Sequence, residues 1–139
     1  MDFWRFLDYI TEANTNPVVT WYGAISKAAQ AEFDALVIAQ AKTEDWDEAK
    51  KSKRKYKELQ KEHKGLTQLI FEVISQLHGK QIRTHFRPIG IMKRSERQFI
   101  FLGGCEKHGT LGTIPPDAFN DALRLKTQYE QGRGTTRDH

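Results

Sequence analysis

Two extended runs joined by a short charged stretch constrain this chain more than any other feature. Gln81 to Met92 and Gln98 to Leu102 are rich in β-branched and aromatic residues, and Lys93-Arg94-Ser95-Glu96-Arg97 between them is too polar to continue either. The pattern predicts a β-hairpin. Pro88 has no amide hydrogen to give a ladder, so it belongs at a bulge or where no donor is needed. Gly103-Gly104 then bends or ends the second strand and brings Cys105-Glu106-Lys107-His108 to its rim.

The rest of the chain has to cover that hairpin. Residues 2 to 10 carry aromatic and β-favouring side chains and read as a first strand. Asn16-Pro17 is a helix start, since Asn accepts from an orphan amide and Pro loses nothing at the first helical position. A long helix follows, with Val18, Trp21, Tyr22, Ile25, Ala28, Ala29, Phe33, Leu36 and Val37 on one stripe. Thr43 to Lys64 runs from acidic to basic, as a solvated helix with a favourable dipole does. Residues 65–77 have helical spacing, but Leu69 to Val73 also reads as a buried strand, and strand is preferred because the sheet otherwise loses a member. Pro115-Pro116 opens a last helix with Ala118, Phe119, Ala122, Leu123 and Tyr129 on one face, stopping at Gly132. The expectation is an α+β fold: a small antiparallel sheet of three to four strands against N-terminal helices, with a C-terminal helix. Residues 1–132 form one domain and residues 133–139 a disordered tail.

Charge is unevenly spread. Residues 1–49 hold three Lys/Arg against nine Asp/Glu, and residues 50–139 hold nineteen against nine. A basic part that includes sheet-forming segments favours an anionic partner such as nucleic acid over a merely solvated surface. Cys105 is the only cysteine, so neither an internal disulfide nor a thiolate metal cluster is available, which fits a reducing cytoplasm. The apolar runs are too short for a membrane span or a signal peptide. Neither HExxH nor another ligand-spaced set occurs, so no metal or other cofactor is expected.

Three words occur in order over residues 86–126. Phe86-Arg87-Pro88-Ile89-Gly90 resembles the "YRPLG" strand of phage-derived, HigB-like members of the RelE/ParE toxin superfamily. Phe99 to Gly109 resembles the family's next strand with its "FxLLxGxxEKxG" ending, and Pro115 or Pro116 with Ala118 and Ala122-Leu123-Arg124 resembles its closing helix. Gly65-Leu66-Thr67-Gln68-Leu69-Ile70-Phe71 is a weaker match to "GLxELRF", with Ile70 where that strand carries an arginine.

The resemblance implies a RelE-like fold and a toxin of a type II toxin-antitoxin system. It implies an endoribonuclease that cuts mRNA, on the ribosome, and is held inactive by a cognate antitoxin, expected to be a helix-turn-helix protein. Metal-free cleavage needs groups that bind the phosphate, neutralise the phosphorane and move two protons. Arg83, His85 and Arg87 alternate on one strand and share a face. The resemblance places Arg87 on the RNA-facing surface and Lys107 and His108 among the last catalytic groups, with His108 as the acid or base. His85 is the competing proton carrier, and Arg83, Lys93, Arg94 and Arg97 complete the expected RNA-binding set. Cys105 reads as a small buried filler. Two other readings stay open: a ParE-like, non-enzymatic gyrase inhibitor, and an inert phage-derived relative that keeps an RNA- or protein-binding face, as Ile70 would permit.

Overall fold

The computed structural model describes residues 2–48, 55–108 and 112–139. The elements are β1 (Arg5–Ile10), α1 (Pro17–Ala24), α2 (Lys27–Ala41), β2 (Tyr56–Glu58), β3 (Thr67–Leu69), β4 (Phe71–Leu77), β5 (Lys80–Lys93), β6 (Gln98–Lys107), β7 (Thr113–Ile114), α3 (Ala118–Glu130) and β8 (Thr135–Asp138). The fold is α+β, with two helices N-terminal and one C-terminal. Among the described residues the sheet has eight strands, in the order β2-β3-β5-β6-β1-β8, with β4 also on β5 and β7 on β6.

The sheet is larger than the expected three to four strands, and mixed rather than antiparallel. β1 runs parallel to β6, Phe6 lying opposite Phe99 and Leu7 opposite Ile100. Parallel neighbours need a long crossover, which α1 and α2 begin by carrying the chain over one face. The additional strands are short polar edges without a periodic signal. β2 holds Tyr-Lys-Glu and β8 holds Thr-Thr-Arg-Asp.

Helices cover both faces. Val18 and Trp21 of α1 and Ala29, Phe33 and Leu36 of α2 pack with Phe6, Leu69, Phe86, Phe99 and Phe101 on one side. Ala118, Ala122 and Leu125 of α3 pack with Leu7, Tyr9, Ile89, Ile100, Leu102 and Cys105 on the other. β1 is therefore buried from Phe6 through Ile10, since each alternate side chain meets a helix.

The expected long first helix is two. Asn16 Oδ1 caps α1 by accepting from Val19 N at 3.2 Å, and Ser26 Oγ opens α2 by accepting from Ala29 N at 3.2 Å. The expected helix over Thr43 to Lys64 is absent from its described parts: residues 44–48 are turns, 56–58 are strand and 61–63 are one turn of 3-10 helix. Its residues 49–54 lie outside the described residues. Tertiary packing overrides the local charge pattern here, because Trp46 is buried and its ring meets Tyr56 edge-on at 5.5 Å. Within residues 65–77 the chain is strand at Thr67–Leu69 and Phe71–Leu77.

Residues 133–139, expected to be a disordered tail, include β8, which is antiparallel to β1 with Leu7 opposite Asp138. His139 fixes its end. The His139 Nδ1 lies 2.6 Å from Oδ1 of buried Asp8, and its ring lies 5.3 Å from Phe33 and 5.0 Å from Phe101. Asp8 also accepts from Asn16 Nδ2 at 2.8 Å, so one buried carboxylate joins the start of α1 to the last strand.

Candidate functional site

The β5–β6 hairpin changes phase midway. Ile89 lies opposite Gly103 and Gly90 opposite Phe101, so Leu102 is the extra residue of a bulge. Pro88, lacking an amide hydrogen, stands beside this irregularity and opposite Gly104. A Cβ at Gly104 would enter the Trp21 indole, so glycine lets α1 close on the strand. Beyond the bulge the strand continues to Lys107, and the shifted phase sends Cys105 and Lys107 toward the α3 face and Glu106 toward the α1–α2 face.

That phase determines which candidate residues meet. Arg87 lies opposite Cys105, and His85 lies opposite Lys107 on one side and Glu72 of β4 on the other. Directly opposed residues share a face with Cβ atoms about 5 Å apart, and diagonal neighbours such as Arg87 and Lys107 are about 7 Å apart. Arg83, His85, Arg87 and Lys107 thus form one cluster at the far end of the hairpin, on the face that carries α3.

Their surroundings differ. Glu72 holds two of them, with Oε1 3.5 Å from the Arg83 guanidinium and Oε2 3.4 Å from His85 Nε2. Arg87 and Lys107 have no carboxylate partner among the described residues, and Arg87 Nε is buried without a hydrogen bond. Arg87 is partly buried and Lys107 is exposed. Two unpaired cations therefore flank an imidazole whose outer nitrogen faces a carboxylate. The cluster lies on strand surface: clefts of about 710, 750 and 410 Å³ elsewhere are lined by none of these four residues.

The other candidates lie apart. His108 Nε2 is 2.7 Å from Glu106 Oε2, and Glu106 lies opposite Phe86 of the α1–α2 core, so His108 is drawn to the other side of the sheet. Lys93, Arg94 and Arg97 sit at the opposite end of β5, six residues or about 20 Å beyond Arg87. Lys93 donates to the Tyr129 hydroxyl at 3.2 Å, Arg94 pairs with Glu58, and Arg97 lies 2.9 Å from Glu44. These three tie the hairpin turn to neighbouring elements.

Cys105 is fully buried, and burial pushes its thiol up from 9.0 to about 11 despite the Arg87 charge beside it. A thiol so protonated near neutrality is no nucleophile. Glu72 escaped the sequence reading, because only the register of β4 on β5 puts it against His85. Among the described residues no group of three or more His, Cys, Asp or Glu side chains is gathered as metal ligands are, and no helix is long and apolar enough to cross a membrane. Comparison with protein-family models, with curated proteins and with solved structures returned no match.

Proposed function

We propose that this chain is an endoribonuclease toxin of the RelE/HigB kind, cutting mRNA without a metal and neutralised by a cognate antitoxin. The observation that carries the reading is the pair of unpaired cations, Arg87 and Lys107, flanking His85 on one strand face. Arg87 Nε is buried without the hydrogen bond that a phosphodiester oxygen would accept, and the exposed Lys107 adds a second positive charge beside it.

The chemistry follows from the side chains. The Arg87 guanidinium offers planar paired donors to the non-bridging oxygens and to the phosphorane that develops from them. His85, oriented by Glu72, takes the proton from the 2′-hydroxyl, whose oxygen then forms a bond to phosphorus. The bond from phosphorus to the 5′-oxygen breaks, Lys107 supplies the proton to that leaving oxygen, and solvent then takes the proton from His85 and returns one to Lys107. The products are a 2′,3′-cyclic phosphate and a 5′-hydroxyl end. His85 replaces His108 as the proton carrier, because it is the imidazole on the same face as Arg87 and Lys107.

The test is expression in a bacterial host and incubation of the purified protein with a short RNA in EDTA. Growth arrest, cleaved messages and cyclic-phosphate ends are expected, with Arg87→Ala, Lys107→Ala and His85→Ala each lowering the rate about 10² to 10⁴-fold. A larger loss for His108→Ala than for His85→Ala would return the proton-carrier role to His108. Arrest with intact messages and damaged DNA would replace the nuclease reading by gyrase inhibition, and no arrest would leave a binding relative without catalysis.

A further inference from the structure

β3 and β4 keep one register on β5, with Gln68 opposite Ile89 and Phe71 opposite Phe86, and they divide where the donor-less Pro88 gives no ladder bond. β2 covers the outer edge only along β3. Among the described residues no strand pairs with the outer edge of β4, which reads Phe-Glu-Val-Ile-Ser-Gln-Leu. This edge is long, free of Pro and Gly, and carries a single charge, a combination that invites another strand. Among the other open edges of the described residues, β2, β7 and β8 are three, two and four residues long, and the stretch of β5 beyond β6, Lys80 to Thr84, carries Lys80 and Arg83. Ile74 and Leu77 of β4 are 49% and 55% exposed, which is unusual for large apolar side chains in a sheet.

The edge fits itself. Ile70 N–H already points outward, bonding Lys55 O at 2.7 Å, so the alternation along the strand turns the amides of Glu72, Ile74 and Gln76 outward as well. Two antiparallel copies centred on Ile74 set Ile74 against Ile74, Glu72 against Gln76, Val73 against Ser75 and Phe71 against Leu77. No like charges meet, and a carboxylate meets an amide that can donate to it. Leu77 of the second copy then falls on the α1–α2 face beside Phe71. A cleft of about 410 Å³ opens there, its apolar wall made by Ala35, Leu36, Ala39 and Phe71 and its rim by Glu32, Lys55 and Glu72.

We infer that this chain forms a two-fold dimer by antiparallel pairing of β4 with β4 of a second copy, Leu77 of each entering the α2–β4 cleft of the other. Such a contact is isologous and closed, so it stops at two. Both copies turn the face bearing Arg83, His85, Arg87 and Lys107 the same way, with the two β5 strands three strand spacings, about 14 Å, apart. The dimer doubles the width of the cationic face and does not depend on the nuclease reading.

Light scattering on the purified chain is expected to give twice the chain mass, and Ile74→Lys and Leu77→Glu, both at exposed positions, to give the single mass with an unchanged far-ultraviolet circular dichroism spectrum. On mild oxidation Ile74→Cys should crosslink to a covalent dimer, while Ser75→Cys, whose partner is Val73, should not. A single mass at every concentration, or a dimer that survives both edge variants, overturns the proposal. So does crosslinking of Ser75→Cys in preference to Ile74→Cys.

Discussion

Replacing Arg87 by alanine should weaken RNA binding and flatten its salt dependence, while the same change at Arg94 should do neither. Each phosphate neutralised on a single strand contributes a slope of about −0.7 to the logarithm of affinity against the logarithm of salt. Within the cluster, Arg87 and Lys107 have no carboxylate partner among the described residues, and Arg83 shares Glu72 with His85. The cluster therefore contributes a slope of about −1.4, and Arg87→Ala removes about half of it. From about 50 to 200 mM salt the wild-type protein should lose affinity roughly 2.6-fold more than the variant does. Arg94 already pairs with Glu58 and stands about 20 Å away along β5, beyond a short ligand on the cluster. Fluorescence anisotropy of a labelled, uncleavable 2′-O-methyl oligonucleotide across that salt range measures both slopes. If Arg94→Ala flattens the dependence as much as Arg87→Ala does, the cluster is not where RNA binds.

Two glycines should respond oppositely to alanine. A Cβ at Gly90 would lie inside contact distance of Ile100 O and 2.5 Å from the Phe99 ring, so Gly90→Ala should cost about 3 kcal/mol through a bulge that cannot yield. Gly23 in α1 has nothing within 4 Å of such a Cβ, and Gly23→Ala should gain about 0.5 kcal/mol. Urea unfolding decides both, and equal signs would contradict the bulge. The buried Cys105 thiol, raised to about 11 from 9.0, should resist iodoacetamide at pH 7.5 until the chain unfolds. Above pH 9 the unfolded chain sheds this proton while the folded chain keeps it, so stability should fall between pH 9 and 11. Tyr9 and Tyr56, also raised chiefly by burial, act in the same direction. The Cys105 share is therefore read as the difference in pH slope from Cys105→Ala, and identical slopes would show that the thiol ionises as freely folded as unfolded.

Elements with periodic apolar signals were legible in the sequence, and elements held by long-range partners were not. The β5–β6 hairpin, the strand at residues 2–10 and the helix opened by Pro115-Pro116 announce themselves locally. β8 does not: Thr-Thr-Arg-Asp becomes a strand because β1 has an edge to fill, and His139 is held by Asp8, 131 residues away. The described parts of Thr43 to Lys64 mislead in the other direction. Their charge gradient suits a helix dipole, yet Tyr56 lies against Trp46 and β2 pairs with β3.

The candidate site divides in the same way. Alternation along one strand suffices to put Arg83, His85 and Arg87 on a common face, because β5 runs without interruption from Lys80 to its irregularity at Ile89 and Gly90. Which of Lys107 and His108 joins them depends on a single inserted residue on the neighbouring strand. Without the bulge at Leu102, Cys105 would lie on the side of Phe99 and Phe101, Lys107 would turn to the α1–α2 face, and His108 would stand opposite Arg83 on the face that carries Arg87. With it, Lys107 joins the cluster and His108 closes on Glu106. Gly90 and the Gly103-Gly104 pair mark where such a shift can occur. Its occurrence is fixed by Phe99, Phe101, Leu102 and Cys105 all finding their cores, which is a property of the packed sheet. The proton-carrier assignment to His85 thus rests on the same backbone irregularity that the Gly90→Ala measurement probes.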